Sequence, residues 1–106
     1  MRKPAVLLLV SLMSCVTLSY ASEAEQGKQV FTQVAQPSCT ICHTLSDAGS
    51  AGTIGPNLDE LKPSRQQVIN AVTSGVGVMP AFGGSLSEDQ IQAVAHYVAE
   101  VTGAHK

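Results

Sequence analysis

The chain has 106 residues, 44% of them hydrophobic, 13% charged and 4% aromatic, with a formal charge of −2, three Cys, three Met, three His and no Trp. This length holds one domain, and the near-neutral balance removes the electrostatic case for binding nucleic acid.

The chain begins with a basic Met1-Arg2-Lys3-Pro4, continues through a mostly apolar stretch from Ala5 to Leu18, and reaches Ser19-Tyr20-Ala21, with small residues at the two positions that direct a signal peptidase. The pattern predicts a bacterial-type export signal over residues 1–21, cleaved after Ala21, and a periplasmic domain over residues 22–106. Ser11, Ser14 and Thr17 interrupt the apolar run, which falls short of the roughly 20 residues that span a bilayer, so no stable membrane insertion is expected. Lipidation at Cys15 is the other reading of Leu12-Met13-Ser14-Cys15, and Met13 fits that signal poorly.

Residues 22–106 keep two cysteines, Cys39 and Cys42, one methionine, Met79, and three aromatics, Phe31, Phe82 and Tyr97. Four basic residues (Lys28, Lys62, Arg65, Lys106) stand against eight acidic ones, a net charge of −4. Such a core is thin, and small exported domains commonly add disulfides, a metal or another filler. Two cysteines allow at most one bridge.

In chain order, the first predicted helix runs from about Glu23 to Gln33, with Glu23 and Glu25 at its positive end and Gly27, Val30, Phe31 and Val34 on one side. Pro37 ends it. Cys39-Thr40-Ile41-Cys42-His43 comes next, the C-x-x-C-H pattern of covalent haem c attachment. Two thiols three positions apart lie on about one helical turn and can reach the two vinyl groups of a porphyrin; the next residue then falls beneath the iron as proximal ligand. A thioredoxin-like redox pair needs a βαβ context that is missing, and a zinc site has only His96 and His105 to complete its donors.

Residues 44–62 and 75–86 read as long loops rich in Gly and Pro, too long for so small a domain unless they wrap a large ligand. Between them, a helix is predicted over Arg65 to Ser74, with Ser64 and Gln67 as its capping box, Val68, Ile69 and Val72 as its apolar stripe, and Gly75 in the left-handed turn after it. The last helix repeats this pattern: Ser87 and Gln90 form the box, Glu88 and Asp89 favour the dipole, and Gly103 closes it. Ile91, Val94, Ala95, Val98 and Val101 share one face, with Tyr97 at its margin and His96 opposite. No segment alternates, so no sheet is predicted and the fold class is all-α.

Met79 lies in the second loop, where Gly75-Val76-Gly77-Val78-Met79-Pro80 has the wrong composition for a helix interior. Given a haem, this lone thioether is the candidate distal ligand, and iron held by His43 and Met79 has no open position for a substrate. A neutral sulfur ligand also raises the potential by favouring Fe(II).

Gly27-x-x-x-Phe31, Cys39 to His43, Gly55-Pro56-Asn57-Leu58, Met79-Pro80 and a final helix with Tyr97-Val98 occur here in one order. In this the chain resembles the monohaem class I cytochromes c of the small bacterial c6-like or c551-like kind, over essentially all of residues 22–106. The resemblance implies short helices wrapped around one covalent haem, with the first and last helices crossing at Gly27 near Tyr97. It implies that the Pro56 carbonyl accepts the proton on the outer nitrogen of His43 and that Leu58, Val68, Ile69 and Phe82 line the haem. Asn57, Lys62 and Arg65 are candidates for holding the propionates.

The function expected is a periplasmic, non-enzymatic single-haem electron carrier, a monomer or weak oligomer. Its redox donor and acceptor are expected to dock at the haem edge, around Thr40, Ile41, Val78, Ala81 and Phe82. The negative charge suits partners with a basic collar, or serves only solubility. Two alternatives stand beside it: a haem subunit of a stable oxidoreductase complex such as a sulfite dehydrogenase, and a peroxidase or gas sensor with a labile distal position. If the thin core depends on the haem, residues 22–106 without it are expected to be largely unfolded; a cooperative thermal transition in haem-free protein, followed by circular dichroism, would contradict this.

Overall fold

A computed structural model describes residues 21–104. Residues 1–20 of the expected leader, Cys15 among them, and His105 lie outside the described residues. Among the described residues five α-helices carry the fold: α1 (Glu23–Gln29), α2 (Cys39–Cys42), α3 (Leu58–Leu61), α4 (Arg65–Ser74) and α5 (Glu88–Thr102). No helix among the described residues is long and apolar enough to cross a membrane.

α1 starts where the Ser22 hydroxyl accepts from the Glu25 N–H at 3.1 Å, with Glu23 and Glu25 in the first turn. It continues into a π-helical turn over Val30–Val34, closed by the Ala35 N–H on the Val30 carbonyl at 3.0 Å. The extra residue in that turn rotates the side chains beyond it relative to an unbroken α-helix. Ala35 is therefore fully buried, whereas Val34, expected on the inner face, is exposed.

Both predicted capping boxes are present, Ser64 with Gln67 on α4 and Ser87 with Gln90 on α5. Gly103 closes α5 in the left-handed conformation, while Gly75 after α4 takes φ 75° and ψ 164°, outside the left-handed helical basin expected for it. The expectation of no sheet is corrected by a short antiparallel ladder, β1 (Thr44–Leu45) with β2 (Ser50–Ala51), joined by a 3₁₀ turn over Ser46–Ala48. Two residues per strand are too few to show alternation. α3 is a single turn inside the first predicted loop, capped by the Asn57 carboxamide accepting from the Asp59 and Glu60 N–H groups and ended by Lys62 at φ 48°.

The core forms where α1 crosses α5, and α4 packs on α5 beside it. At the crossing, a Cβ on Gly27 would run into the Ala93 carbonyl and come within 2.5 Å of Tyr97 Cβ, so only glycine lets the two backbones meet. Tyr97, placed at the margin of the α5 face by spacing, is among the most buried side chains, with Phe31 edge-on to it at 6.1 Å between ring centroids. Its hydroxyl donates to Asp47 Oδ2 at 2.6 Å, and Lys28 Nζ lies 3.5 Å from the same oxygen. At the other end of the crossing, Arg65 Nη2 donates to Glu23 Oε1 at 2.8 Å and to Gln92 Oε1 at 3.2 Å, joining α4 to both helices.

Gly27→Val is expected to destabilise the protein by about 3 kcal/mol, since backbone must move to admit the side chain. A fall of more than about 10 °C in thermal midpoint checks it. The Tyr97–Asp47 pair contributes to the pH response at both ends. Burial, with Asp47 adding, raises the Tyr97 hydroxyl, so its contribution is complete below about pH 10 and is lost as pH rises through the raised value. The bond from Tyr97, assisted by Lys28, lowers the Asp47 carboxyl, so its smaller, solvent-screened contribution is present above about pH 4 and is lost as pH falls through the lowered value. Tyr97→Phe is expected to flatten both limbs of a denaturation midpoint plotted against pH; parallel curves for the two proteins would refute the assignment.

Candidate functional site

The sequence between α1 and β1 builds the first wall of the site. Ser38 caps α2, its hydroxyl accepting from the Thr40 N–H at 3.4 Å and donating to the Phe31 carbonyl at 3.1 Å, which ties the C-x-x-C-H motif to the end of the α1 segment. The four residues of α2 put Cys39 and Cys42 on one turn as half-buried free thiols. Burial is the main cause that pushes the Cys39 thiol up to about 11, so it is protonated at neutral pH. A redox-active C-x-x-C pair needs the opposite shift. Among the described residues, no three or more His, Cys, Asp or Glu side chains are grouped to hold a metal ion, and His96, one of the two donors the zinc reading needed, pairs with Glu100 instead.

His43 leaves α2 with extended backbone, its N–H still bonded to the Cys39 carbonyl at 3.0 Å. Its Nδ1 lies 2.7 Å from the Pro56 carbonyl oxygen. A carbonyl only accepts, so Nδ1 carries the proton and Nε2 keeps its lone pair. A Cβ on Gly55 would sit 2.7 Å from His43 Cε1, so the ring rests directly on that backbone.

Met79 comes from a different segment with its own internal order. Val76 and Met79 exchange N–H to carbonyl bonds of 3.1 and 2.9 Å across Gly77, at φ 55°, and Val78. Both ends of this loop are fastened to the end of α4: Gly75 N–H bonds to the Ala71 carbonyl at 2.8 Å, Phe82 N–H to Val72 at 2.8 Å and Gly83 N–H to Thr73 at 3.2 Å. The last carbonyls of a helix lack partners within it, and here the returning loop supplies them.

These segments enclose a cavity of about 460 Å³. Cys39, Cys42, His43 and Pro56 line one part of it; Leu58 and Leu61 of α3 line another. α4 contributes Gln67, Val68, Ala71 and Val72, the loop contributes Val76, Val78, Met79, Pro80 and Phe82, and Phe31, Val94 and Val98 from the helix crossing supply the rest of its apolar lining. The lining is apolar apart from the two thiols, Ser38, His43 and Gln67. An apolar plate of porphyrin size that is bonded through two thiols suits this lining.

Of the residues singled out by sequence, Cys39, Cys42, His43, Pro56, Leu58, Val68, Met79 and Phe82 all meet at this cavity. Ile69 does not. One step of about 100° from Val68 carries it off the cavity side of α4, and it packs, half-buried, against the rest of the core. Of the propionate candidates, Asn57 caps α3 through its Oδ1, and Arg65 bridges Glu23 and Gln92 through its Nη2. Phe82 is 5% exposed, so it belongs to the cavity and not to the surface patch expected around Val78, which is 88% exposed. His96 stays on the outer side of α5, paired with Glu100 at 3.0 Å. Sequence reasoning missed Gln67, Leu61, Val94 and Val98 as cavity residues. For the two valines the signal was the apolar stripe of α5, which showed that they are buried but not against what.

A helical shell around an apolar cavity, with two thiols on one turn followed by a tautomerically fixed histidine, defines a c-type cytochrome. The sequence profile of the family described as "Cytochrome C oxidase, cbb3-type, subunit III" matches residues 22–98. Cytochrome c6 of Picosynechococcus sp. is 32% identical over 107 residues, 91% of this chain and 88% of the relative. Cytochrome c6 of Leptolyngbya boryana is 36% identical over 83 residues, 74% of this chain and 93% of the relative. Among solved structures, the c-type cytochrome SorU from Sinorhizobium meliloti is 47% identical with a TM-score of 0.73, covering 76% of this chain and 92% of that one. The chain belongs to the monohaem class I cytochromes c, of the c6-like kind. It is a haem c electron carrier with the all-α fold of that class, and the pair Cys39 and Cys42 stands where the covalent haem is attached.

Cys39→Ser or Cys42→Ser is expected to abolish two-bond attachment. Peptide mass together with the absorption band of the reduced pyridine adduct measures it, and an intact two-thioether product in either variant would overturn the assignment.

Proposed function

We propose that His43 and Met79 are the axial ligands of the haem iron and that the protein carries single electrons in the periplasm between partners docking at the haem edge. The observation that carries this reading is the Pro56 carbonyl on His43 Nδ1, 2.7 Å away. It leaves Nε2 as the nitrogen available to a metal in the same cavity that Met79 lines from the loop after α4. When bound, the haem supplies an iron that cycles between its ferric and ferrous forms.

The chain's residues set the terms of that cycle. His43 is made a stronger donor by the carbonyl behind it. Met79, a neutral thioether, favours the ferrous state and so raises the potential. Two protein ligands leave no coordination position for peroxide or a gas. The apolar lining excludes water, which lowers the dielectric response to a change of charge. Ile41, 56% exposed, and Val78 offer apolar contacts for short-lived docking, and the net −4 of residues 22–106 suits partners with a basic collar. Periplasmic placement is supported by the export signal read over residues 1–21.

Met79→Ala is expected to leave haem attached, to remove the weak long-wavelength absorption of ferric iron bound to thioether sulfur, and to lower the potential by on the order of 0.1 V. An unchanged spectrum and potential would reject Met79. Gel filtration of the native protein at high salt separates a free carrier, eluting near monomer size, from a resident subunit of a larger oxidoreductase, which elutes with its enzyme.

A further inference from the structure

Three contacts on the His43 side of the cavity share one arithmetic. The Gly55 N–H bonds to the Cys42 carbonyl at 2.6 Å, His43 Nδ1 bonds to the Pro56 carbonyl at 2.7 Å, and the Ser46 N–H and hydroxyl both donate to Asp59 Oδ2, at 2.9 and 2.8 Å. Each joins residues 13 apart. Residues 42–46 and 55–59 therefore lie side by side at one constant offset, through contacts that flank β1 and are not part of its ladder with β2. A slip of one residue moves a carbonyl by about 3.4 Å, beyond hydrogen-bond reach of a ring.

From this we infer that Asp59 is a positioning residue for His43, locking the register that keeps the Pro56 carbonyl on the ring. The inference rests on the reading of His43 as an iron ligand. Of the three contacts, the first uses only main chain and the second only a carbonyl that any residue would supply. The third alone depends on a particular side chain, and it is doubly made and charge-assisted. Asp59 is itself held: its N–H donates to the Asn57 carboxamide at 3.0 Å within the single turn of α3. Ser46 opens the 3₁₀ turn, so its N–H has no partner within that turn, and the carboxylate satisfies it. The His43 ring has no slack with which to absorb an error, because it lies against the Gly55 backbone.

Four holoproteins test this: wild type, Asp59→Ala, Asp59→Asn and Glu60→Gln, the last removing a charge of the same sign one residue away. The readouts are solvent exchange of the His43 ring N–H by NMR in the ferrous state, and the reduction potential. In Asp59→Ala the ring N–H is expected to exchange at least about tenfold faster, because local opening is easier once the carboxylate bonds are gone. Its potential is expected to rise beyond that of Glu60→Gln, since a ring without its acceptor is a weaker donor to ferric iron. Asp59→Asn, which keeps an acceptor oxygen for the Ser46 N–H, is expected to restore slow exchange. If Asp59→Ala yields no holoprotein, Ser46→Ala, lacking only the hydroxyl bond, is expected to show a smaller acceleration of about threefold. Loss of thermal stability with ring exchange and potential matching Glu60→Gln would overturn the proposal and make Asp59 a structural staple only; unchanged exchange in Ser46→Ala would overturn it in the same way. Failure of the underlying reading shows in wild type alone, as a His43 ring without the large haem-induced shifts of an axial ligand.

Discussion

The closeness of α1 to α5 at Gly27 is the constraint on which the other parts of this protein depend. A single missing Cβ sets the distance between the two backbones, and that distance decides how far Phe31, Val94 and Val98 stand from the rest of the cavity wall. Phe31 is shared between two roles: one edge meets Tyr97 in the crossing, and the residue also lines the cofactor cavity. The crossing and the site are thus one structure, and a strain introduced at the first is delivered to the second through close-packed side chains.

Around that fixed floor the chain recruits its functional groups from segments with little regular structure of their own. The motif segment supplies two thiols and an imidazole, the segment through Pro56 orients the imidazole, and the loop after α4 supplies the thioether. Each segment is held by its own hydrogen bonds. Irregular backbone is tolerated in so small a domain because these local bonds satisfy its polar groups and the apolar cofactor supplies the packing that a larger core would otherwise provide. For an electron carrier such order has a direct use, since groups already in place need to move little when the charge on the iron changes.

The features that could be read from sequence divide along the range of the interactions. The caps of α4 and α5, the turn of cysteines and the lone loop methionine are local patterns, and the structure places them as spacing predicts. The single turn of α3 was missed because four residues carry no period, although Asn57 before Asp59 and Glu60 is a recognisable cap once suspected. The β1–β2 ladder was missed for the same reason. Val34 and Ile69 depart from expectation, and Tyr97 lies deeper in the crossing than the margin of its face, because a regular 3.6-residue period cannot foresee a π turn or say which side of an apolar stripe meets a cofactor and which meets a neighbour. Arg65 and Asn57 show the limit most plainly. A polar side chain near a site in sequence has several possible partners, and only the fold decides among them.

The loop that supplies Met79 leaves and rejoins α4 through three consecutive carbonyls, those of Ala71, Val72 and Thr73. Its two ends are therefore pinned a few ångströms apart on one turn of helix, like the two posts of a handle. The chain between the posts can lengthen, shorten or change composition with only a small entropic cost for the closed loop, while the helices stay where they are. The thioether that faces the cavity thus sits on an exchangeable cassette, and what the chain presents to its cofactor from that side can change without the helices being rebuilt.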